Sequence, residues 1–263
     1  LQQIPARHGI LGPLIRSIFI PEKDHEWGIF DYSQQEPRLV VHYASLRHFT
    51  GAGKFVDSYQ EDETTDFHTM VSEMADIPRK QAKTINLGLF YGMGKGKLMS
   101  QLGVTLETAS ELLASYNERV PFVKQLMNDT MNKAGKKGYL STLEGRRCRF
   151  DQWEPTNEWG QKSLPLAEAQ QQYGEHMIKR AWTYKALNRL IQGSAADQTK
   201  KAMLALAKEG YLAHIQVHDE LDFSVASDAD KAKIKDIMEN CVELSVPSKV
   251  DVECGDNWGD AGD

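Results

Sequence analysis

The sequence lacks the features of secreted and membrane-embedded proteins. No hydrophobic run is long enough to cross a bilayer, so we expect no membrane contact, and the N-terminus has no signal-peptide pattern. Only three cysteines occur in 263 residues (Cys148, Cys241 and Cys254), and their wide spacing excludes a zinc cluster and favours a reducing compartment. The chain also begins with Leu rather than Met, which indicates a fragment or a processed piece.

Charge is unevenly distributed along the chain. The net charge of −6 argues weakly against a nucleic-acid partner. Residues 79–100, however, contain bases and no acid, and residues 133–149 contain six bases against Glu144 alone. Such patches fit either a polyanion bound at one site or two solvated basic faces.

Apolar periodicity predicts an α+β fold. Residues 27–33 read as a strand that runs into an acid, and residues 214–225 read as a hairpin. Between them, residues 77–94, the segments on either side of Pro121, and residues 165–209 read as helices. A further helix follows the hairpin, capped by Ser227 or Asp228. Strands near both ends therefore predict a sheet with a helical insertion.

The hairpin, "HIQVHDELDFSV", places Asp219 among the apolar positions of a period-two pattern. A two-residue turn would bring Val217 opposite Asp222, whereas a three-residue turn, His218–Glu220, pairs Val217 with Leu221. We therefore predict the three-residue turn, with Asp219 held at a rigid tip where an enzyme would fix a metal ligand. An ordinary polar turn explains the same residues.

A second acid favours the metal interpretation. Asp31 ends the strand of residues 27–33, and two aspartates on neighbouring strand ends can hold two Mg²⁺ ions about 3.5–4 Å apart. Carboxylate oxygens suit Mg²⁺, which often takes substrate phosphates into its shell, and Mn²⁺ is a possible substitute. A metal-free pair of carboxylates, as in a glycosidase, stays possible.

The helix predicted over residues 77–94 carries a stripe of residues spaced by four. Its members are Arg79, Lys83, Leu87 and Tyr91. The cations lie at the N-terminal end, where the helix dipole also favours phosphate, so a nucleoside triphosphate fits with its sugar and base beside Leu87 and Tyr91. A solvated basic face over a packed aromatic would give the same pattern.

Together these stretches resemble the family A (DNA polymerase I-like) DNA polymerases. "DYSQQEPR" resembles the first palm motif of that family, "RKQAKTINLGLFYG" its fingers helix and "VHDE" its last palm motif. "LQQIPAR", "TLEGRR" and "NRLIQGSAAD" are further matches in the same order. The resemblance implies a right-hand polymerase fold with an antiparallel palm sheet (residues 1–60 and 185–263) and helical fingers (61–184).

The resemblance also implies roles for individual residues. Asp31 and Asp219 would bind the metal ions with the backbone carbonyl of Tyr32, Glu220 would support that site, and Lys83 could protonate the pyrophosphate. Glu36 would exclude a ribose 2′-hydroxyl and pack near Tyr91. The dNTP and the primer terminus would be contacted by Arg79, Lys83, Leu87, Tyr91, Glu36, Gln34 and His218. The minor groove of the primer–template would be contacted by Arg7, Asn188 and Gln192. Arg16 and Arg38 would lie near the site or serve as structural arginines.

Several residues depart from the family pattern. Leu87 replaces an aromatic residue, Gln35 and Pro37 replace Ile and Leu, and Tyr184 stands where arginine is usual. These differences point towards a phage enzyme acting in the cytoplasm of a bacterial cell. The thumb, and any proofreading exonuclease, would precede the first residue, so this piece should grip duplex DNA poorly.

Template-directed DNA synthesis is thus the predicted function. Three alternatives stay open: a single-subunit RNA polymerase, a nucleic-acid-binding fragment with little activity alone, and a metal-free carboxylate hydrolase. Glu36 argues against the first and the basic helix against the last.

Overall fold

The computed structural model describes residues 10–157 and 160–262. The helices are α1 (Leu11–Arg16), α2 (Gln35–Ser45), α3 (Ala52–Glu61), α4 (Phe67–Ala75), α5 (Arg79–Phe90), α6 (Lys95–Leu102), α7 (Leu106–Arg119), α8 (Pro121–Lys137), α9 (Leu166–Tyr173), α10 (Ala186–Lys208) and α11 (Asp228–Asn240). The strands are β1 (Glu26–Tyr32), β2 (Tyr139–Ser141), β3 (Arg147–Arg149), β4 (Gln152–Pro155), β5 (Leu164–Pro165), β6 (Ile178–Arg180), β7 (Ile215–Val217), β8 (Glu220–Val225) and β9 (Val250–Gly255). Thr183–Lys185 and Asp260–Gly262 form 3₁₀ turns. Among the described residues no helix is both long and apolar enough to span a membrane.

The chain divides into two compact units. The first unit comprises Leu1–Arg38, Tyr59–Thr64 and Ala195–Asp263, and the second comprises Leu39–Ser58 and Thr65–Ser194. The sheet that carries the predicted metal ligands belongs to the first unit, and the helix that carries the predicted triphosphate ligands belongs to the second.

The first unit is built on an antiparallel sheet of four strands in the order β7-β8-β1-β9. Strand β1 lies between β8 and β9, and the pairing places Asp31 opposite both Glu220 and Asp251. Directly opposed residues of antiparallel strands project from the same face of the sheet. The sequence-distant acids therefore share one face.

The opposite face of this sheet is the hydrophobic core of the first unit. Phe30 and Tyr32 of β1 and Leu221 and Phe223 of β8 are all at most 2% exposed. They pack against Ala202 and Leu206 of α10 and against Ile234 and Met238 of α11. Helix α11 begins where predicted, because the side chain of Ser227 accepts a hydrogen bond from the backbone N–H of Asp230.

The predicted three-residue turn of the hairpin is wrong. Val217 pairs with Glu220 and Ile215 pairs with Asp222, so the turn consists of His218 and Asp219. His218 has a φ of 56°, the left-handed region that a tight two-residue turn requires. The prediction failed because it assumed an entirely apolar face, whereas the real face combines Ile215 and Val217 with two carboxyl side chains.

Aromatic rings form the core of the second unit. Phe55, Phe67, Phe90 and Phe122 are at most 1% exposed, and the ring centroids of Phe55 and Phe122 are 5.0 Å apart. The rings of Phe67 and Phe90 are 6.0 Å apart. These side chains come from α3, α4, α5 and α8, so the core fixes α5 through its buried side.

The helix boundaries around α5, α7 and α8 follow the sequence predictions. Pro78 caps α5, and Pro121 occupies the first turn of α8 directly after α7 ends. The continuous helical pattern predicted for residues 165–209 is wrong in its first half. Gly174 ends α9 with a φ of 89°, and β6 then pairs with β4 before α10 begins.

Candidate active site

A group of acids lies at one end of the sheet face that also carries Ile29 and Ile215. Asp31 is the penultimate residue of β1, Glu220 begins β8 opposite it, and Asp219 precedes Glu220 in the turn. Asp251 of β9 lies opposite Asp31 on its other side. The fold thus places one predicted metal ligand, from "DYSQQEPR", in β1 and the other, from "VHDE", in the turn before the neighbouring strand β8.

The electrostatics of this group are those of crowded anions. Burial raises the pKa of Asp31 to about 7, and the charges of Asp219 and Glu220 add to the shift. Burial also raises the pKa of Asp219 and of Glu220. Carboxyl groups that raise one another's pKa are stabilised by a bound cation, because its charge offsets their repulsion.

The side chain of Tyr32 is directed away from these acids, and the role of its backbone carbonyl stays a prediction. The Tyr32 side chain is 2% exposed and projects into the core, where its hydroxyl donates a hydrogen bond of 2.7 Å to the carbonyl of Met238. In residues 10–157 and 160–262, no set of three or more His, Cys, Asp or Glu side chains is arranged to hold a metal ion. The predicted set contains two carboxylates and one carbonyl, and the crowded acids described above fit a divalent cation.

The residues next to these acids adopt unusual backbone conformations. Gln34 has a φ of 54°, and its side-chain oxygen accepts a hydrogen bond of 3.4 Å from the hydroxyl of Tyr59. His218 is exposed at the hairpin tip. Left-handed non-glycine residues cost of order 1–3 kcal/mol and concentrate at functional sites. Glu36 lies half-buried in the first turn of α2.

The stripe predicted on α5 lies on the outer side of that helix. Arg79 and Lys83 are exposed, Leu87 is half-buried and Tyr91 is 44% exposed. Leu87 and Tyr91 also line a cavity of about 410 Å³, together with Thr84, Gly88, Met93, Lys97 and Gln101. The four residues of the stripe are thus accessible within the second unit.

Arg79 is braced by an acid that the sequence analysis overlooked. Its Nη2 lies 2.8 Å from Oδ2 of Asp66, and its Nε contacts Oδ1 of Asp66 and the hydroxyl of Thr69. Asp66 also caps α4 by accepting from the backbone N–H of Thr69. We call these contacts of Arg79 with Asp66 and Thr69 the Arg79 bracket. The bracket orients the guanidinium, and the N–H groups of Nη1 of Arg79 donate to none of the described side chains.

A buried histidine next to this bracket was also overlooked. His68 is 7% exposed, and its Nδ1 lies 2.9 Å from Nδ2 of Asn86. The hydroxyl of Tyr116 donates to Oδ1 of Asn86, so the amide nitrogen is the donor to Nδ1 and the proton of a neutral His68 sits on Nε2. Burial lowers the pKa of His68 and favours that neutral form. No motif marked His68, because its role depends on partners 18 and 48 positions away.

The remaining predicted residues lie in different parts of the chain. Asn188 and Gln192 are one turn apart on α10, within the second unit, and Gln192 is exposed. Arg7 lies outside the described residues. Arg38 is a structural arginine, since it is 2% exposed and donates to the backbone carbonyls of Ser33, Pro247 and Glu63.

Arg16 lies beside the acids of the first unit. Its guanidinium stacks over the ring of Trp258, with 4.7 Å between the guanidinium carbon and the ring centroid. The indole Nε1 of Trp258 donates to Oε1 of Glu220 at 3.3 Å. Asp222, two residues along β8 on the same face, is fully buried, and burial followed by the neighbouring Glu220 raises its pKa to about 8.

Comparisons with known proteins agree with this architecture. The sequence model described as DNA polymerase family A matches residues 1–260. A DNA-directed DNA polymerase from Pseudomonas phage M6 is 39% identical over 98% of this chain and 42% of its own length. DNA polymerase I from Bacillus subtilis (strain 168) is 34% identical over 99% of this chain and 29% of its own length.

A solved structure extends the agreement to three dimensions. The POL domain of Pol1 from M. smegmatis, in complex with DNA primer-template and dNTP, superposes with a TM-score of 0.78 and 29% identity. The match covers 100% of the present chain and 45% of the M. smegmatis chain. The present chain therefore spans less than half the length of the relatives it matches. Because the family model covers nearly every residue, the chain belongs to DNA polymerase family A.

Proposed function

We propose that this chain carries the nucleotide-adding centre of a template-directed DNA polymerase, which joins dNTPs to a primer 3′-hydroxyl. The observation that carries the proposal is the meeting of Asp31 with Asp219 and Glu220 at one end of the first-unit sheet, where burial and mutual repulsion raise the pKa of Asp31 to about 7. Asp31 and Asp219 come from the two motifs expected to supply metal ligands. Membership of DNA polymerase family A supports the interpretation of this pair as a metal site.

Asp31, Asp219 and the carbonyl of Tyr32 would hold the metal ions, and the raised pKa of Asp31 reflects the negative field that would attract them. When bound, two Mg²⁺ ions would activate the primer hydroxyl and stabilise the oxygen that leaves with pyrophosphate, with Mn²⁺ as a substitute. Glu220 would support the ligands from the adjacent position on β8.

The exposed end of α5 would bind the triphosphate. The bracket from Asp66 orients Arg79, and Lys83 lies one turn further along the same face. Charged donors of this kind suit phosphate oxygens, and Lys83 would also donate a proton to the departing pyrophosphate. Leu87 and Tyr91 would contact the sugar and base, since both border the cavity of about 410 Å³.

Sugar selection would depend on Glu36. A carboxylate at this position would fill the space that a 2′-hydroxyl needs, so Glu36→Ala should raise the ratio of ribonucleotide to deoxyribonucleotide incorporation by about tenfold or more. Measuring kcat/KM for one rNTP and its dNTP partner tests this. A ratio unchanged from the wild type would exclude Glu36 as the selective residue, and the exposed Glu253→Gln serves as a charge-matched control.

Primer–template DNA would be contacted by residues of several motifs. Gln34 and His218 would approach the incoming nucleotide and the primer end, while Asn188, Gln192 and Arg7 would follow the minor groove. We assign residues 1–60 and 185–263 to the palm and residues 61–184 to the fingers, and we expect a thumb in the part of the relatives that this chain does not span. Its phage and bacterial relatives support a site of action in the cytoplasm of a bacterial cell.

Primer extension is the direct test of this function. The 263-residue chain, a recessed primer–template, dNTPs and Mg²⁺ at low salt should give products that lengthen only when the templated nucleotide is present. Because the chain spans less than half of its relatives, DNA binding without extension is a competing outcome that would identify a binding fragment. Nucleotide addition that persists with excess chelator would contradict the metal-dependent mechanism.

A further inference from the structure

Glu220 occupies a position where a carboxylate needs help from its neighbours. Asp31 lies directly opposite it on β1, Asp219 precedes it, and Asp222 follows two residues later on the same face. Burial raises the pKa of Glu220. A desolvated carboxylate among other acids keeps a defined orientation only where donors or cations hold it.

Trp258 provides such a donor from the other end of the sequence. The indole Nε1 donates to Oε1 of Glu220 at 3.3 Å, and the Trp258 side chain is 1% exposed. Phe19 contacts the indole edge-to-face, with 5.4 Å between ring centroids, and its carbonyl accepts from the backbone N–H of Trp258. These two contacts fix both the indole ring and the backbone of Trp258.

Arg16 completes this arrangement on the face of the ring. Its guanidinium carbon is 4.7 Å from the centroid of Trp258, and its charge opposes the rise in the pKa of Glu220. The Nε of Arg16 is buried, and no described group accepts its hydrogen bond. A buried cation stacked on an aromatic face is stabilised both by that face and by nearby anions.

Asp222 is a further neighbour that bears on the orientation of Glu220. Its side chain is fully buried between Ile29 and Ile215 on the two neighbouring strands, and a hydrogen bond between the side chains of Asp222 and Glu220 lowers the pKa of Glu220 and raises that of Asp222. Such a group is more stable as a neutral carboxyl than as an anion. A neutral Asp222 adds a hydrogen bond but no positive charge, so it orients Glu220 together with Trp258 and Arg16.

We propose that Trp258 is a positioning residue, which holds the Glu220 carboxylate towards the metal-binding end of the sheet while Arg16 braces the indole. The inference rests on the proposed function for the role of Glu220, but the contacts among Trp258, Arg16 and Glu220 belong to the first unit alone. Trp258 thus acts through Glu220 and touches no reacting atom. Outer partners of this kind are worth about 10–100-fold in metal affinity or activity.

The chain offers a matched control for this proposal. Trp27 is 2% exposed, belongs to the same hydrophobic cluster as Trp258, and its Nε1 has no acceptor among the described residues. Trp258→Phe and Trp27→Phe therefore remove the same volume, but only Trp258→Phe removes a hydrogen bond to Glu220. Thermal unfolding of both variants measures the shared packing cost.

The first readout is Mn²⁺ affinity of the chain without DNA, measured by electron paramagnetic resonance, and the second is kcat for single-nucleotide addition. Trp258→Phe should weaken Mn²⁺ binding or lower kcat by about tenfold, with little change in KM for dNTP, whereas Trp27→Phe should leave both unchanged. Equal losses in the two variants would reduce Trp258 to a packing role and overturn the proposal.

A double-mutant cycle tests whether the effect passes through Glu220. In a Glu220→Ala background, adding Trp258→Phe should cause no further loss of Mn²⁺ affinity, and a further tenfold loss would overturn the proposal. A wild-type chain that binds Mn²⁺ but adds no nucleotide would refute the proposed function alone, because the affinity comparison still decides the role of Trp258. A wild-type chain that neither binds Mn²⁺ nor extends a primer would overturn both.

Discussion

Replacing Asp219 with alanine should lower the rate of nucleotide addition by about 10³-fold or more, because a metal ligand supplies several kcal/mol of transition-state stabilisation. The fold should survive, since Asp219 lies in the two-residue turn and belongs to neither hydrophobic cluster of the first unit. Burial raises the pKa of this carboxyl, so its removal relieves an unfavourable charge.

Single-turnover primer extension with Mg²⁺, together with circular dichroism, measures both parts of this expectation. Glu253→Gln is the matched control, because Glu253 lies on the same sheet face but is exposed and outside the proposed ligand set. That variant should keep most of the wild-type rate. If Asp219→Ala extended primers at the wild-type rate, the assignment of this turn as a metal site would be wrong.

Replacing Asp222 with asparagine should make the chain more stable than the wild type at alkaline pH by roughly a few kcal/mol, because the pKa of this carboxyl is much higher in the folded chain than in the unfolded one. Burial, followed by the charge of Glu220, raises the pKa of Asp222 from 3.8 to about 8. An asparagine of the same shape carries no charge at any pH, so it removes this dependence.

The sign follows from proton binding. Below about pH 4 the carboxyl is protonated in both states, so ionisation costs nothing. Between about pH 4 and pH 8 the unfolded chain releases the proton and the folded chain keeps it, so stability falls as pH rises. Above about pH 8 both states are ionised and the full penalty persists.

Urea unfolding at pH 5 and pH 9 tests the comparison. The free-energy difference between Asp222→Asn and the wild type should grow with pH and level off above about pH 8. Asp251→Asn is a control for which the free-energy difference from the wild type should have the opposite sign. Burial alone would raise the pKa of Asp251, but hydrogen bonds from Lys249 and Ser33 lower it below its ordinary value. The ionised form of Asp251 therefore stabilises the fold above that pKa. Parallel pH profiles for the wild type and Asp222→Asn would show that Asp222 is ionised in the folded chain.

Much of the architecture could be predicted from local patterns. Pro78 and Pro121 fixed the starts of α5 and α8, and the period-two pattern located β7 and β8. These features depend on backbone geometry within a few residues, which a sequence displays directly. The division at Gly174 was missed because the apolar spacing of a short strand and of a helix overlap there.

The candidate site was less predictable wherever a role depends on tertiary partners. Asp31 and Asp219 stood out as acids at strand ends, but nothing in their spacing predicted that Asp222 would be buried between two isoleucines. The bracket of Arg79 by Asp66 and the contact of Trp258 with Glu220 join residues 13 and 38 positions apart. Such contacts follow from the fold rather than from any local period. The apolar-face argument misplaced the hairpin turn for the same reason.

The adjacency of β1 and β8 has a consequence for how such a protein can change over evolutionary time. The spacing of Asp31 and Glu220 is set by one ladder of backbone hydrogen bonds, although residues 33–219 separate the two strands along the chain. The entropic cost of closing a long loop grows only logarithmically with its length. A lineage could therefore lengthen, shorten or alter the intervening region, which includes the small sheet β5-β4-β6, and keep these two carboxyl groups in register.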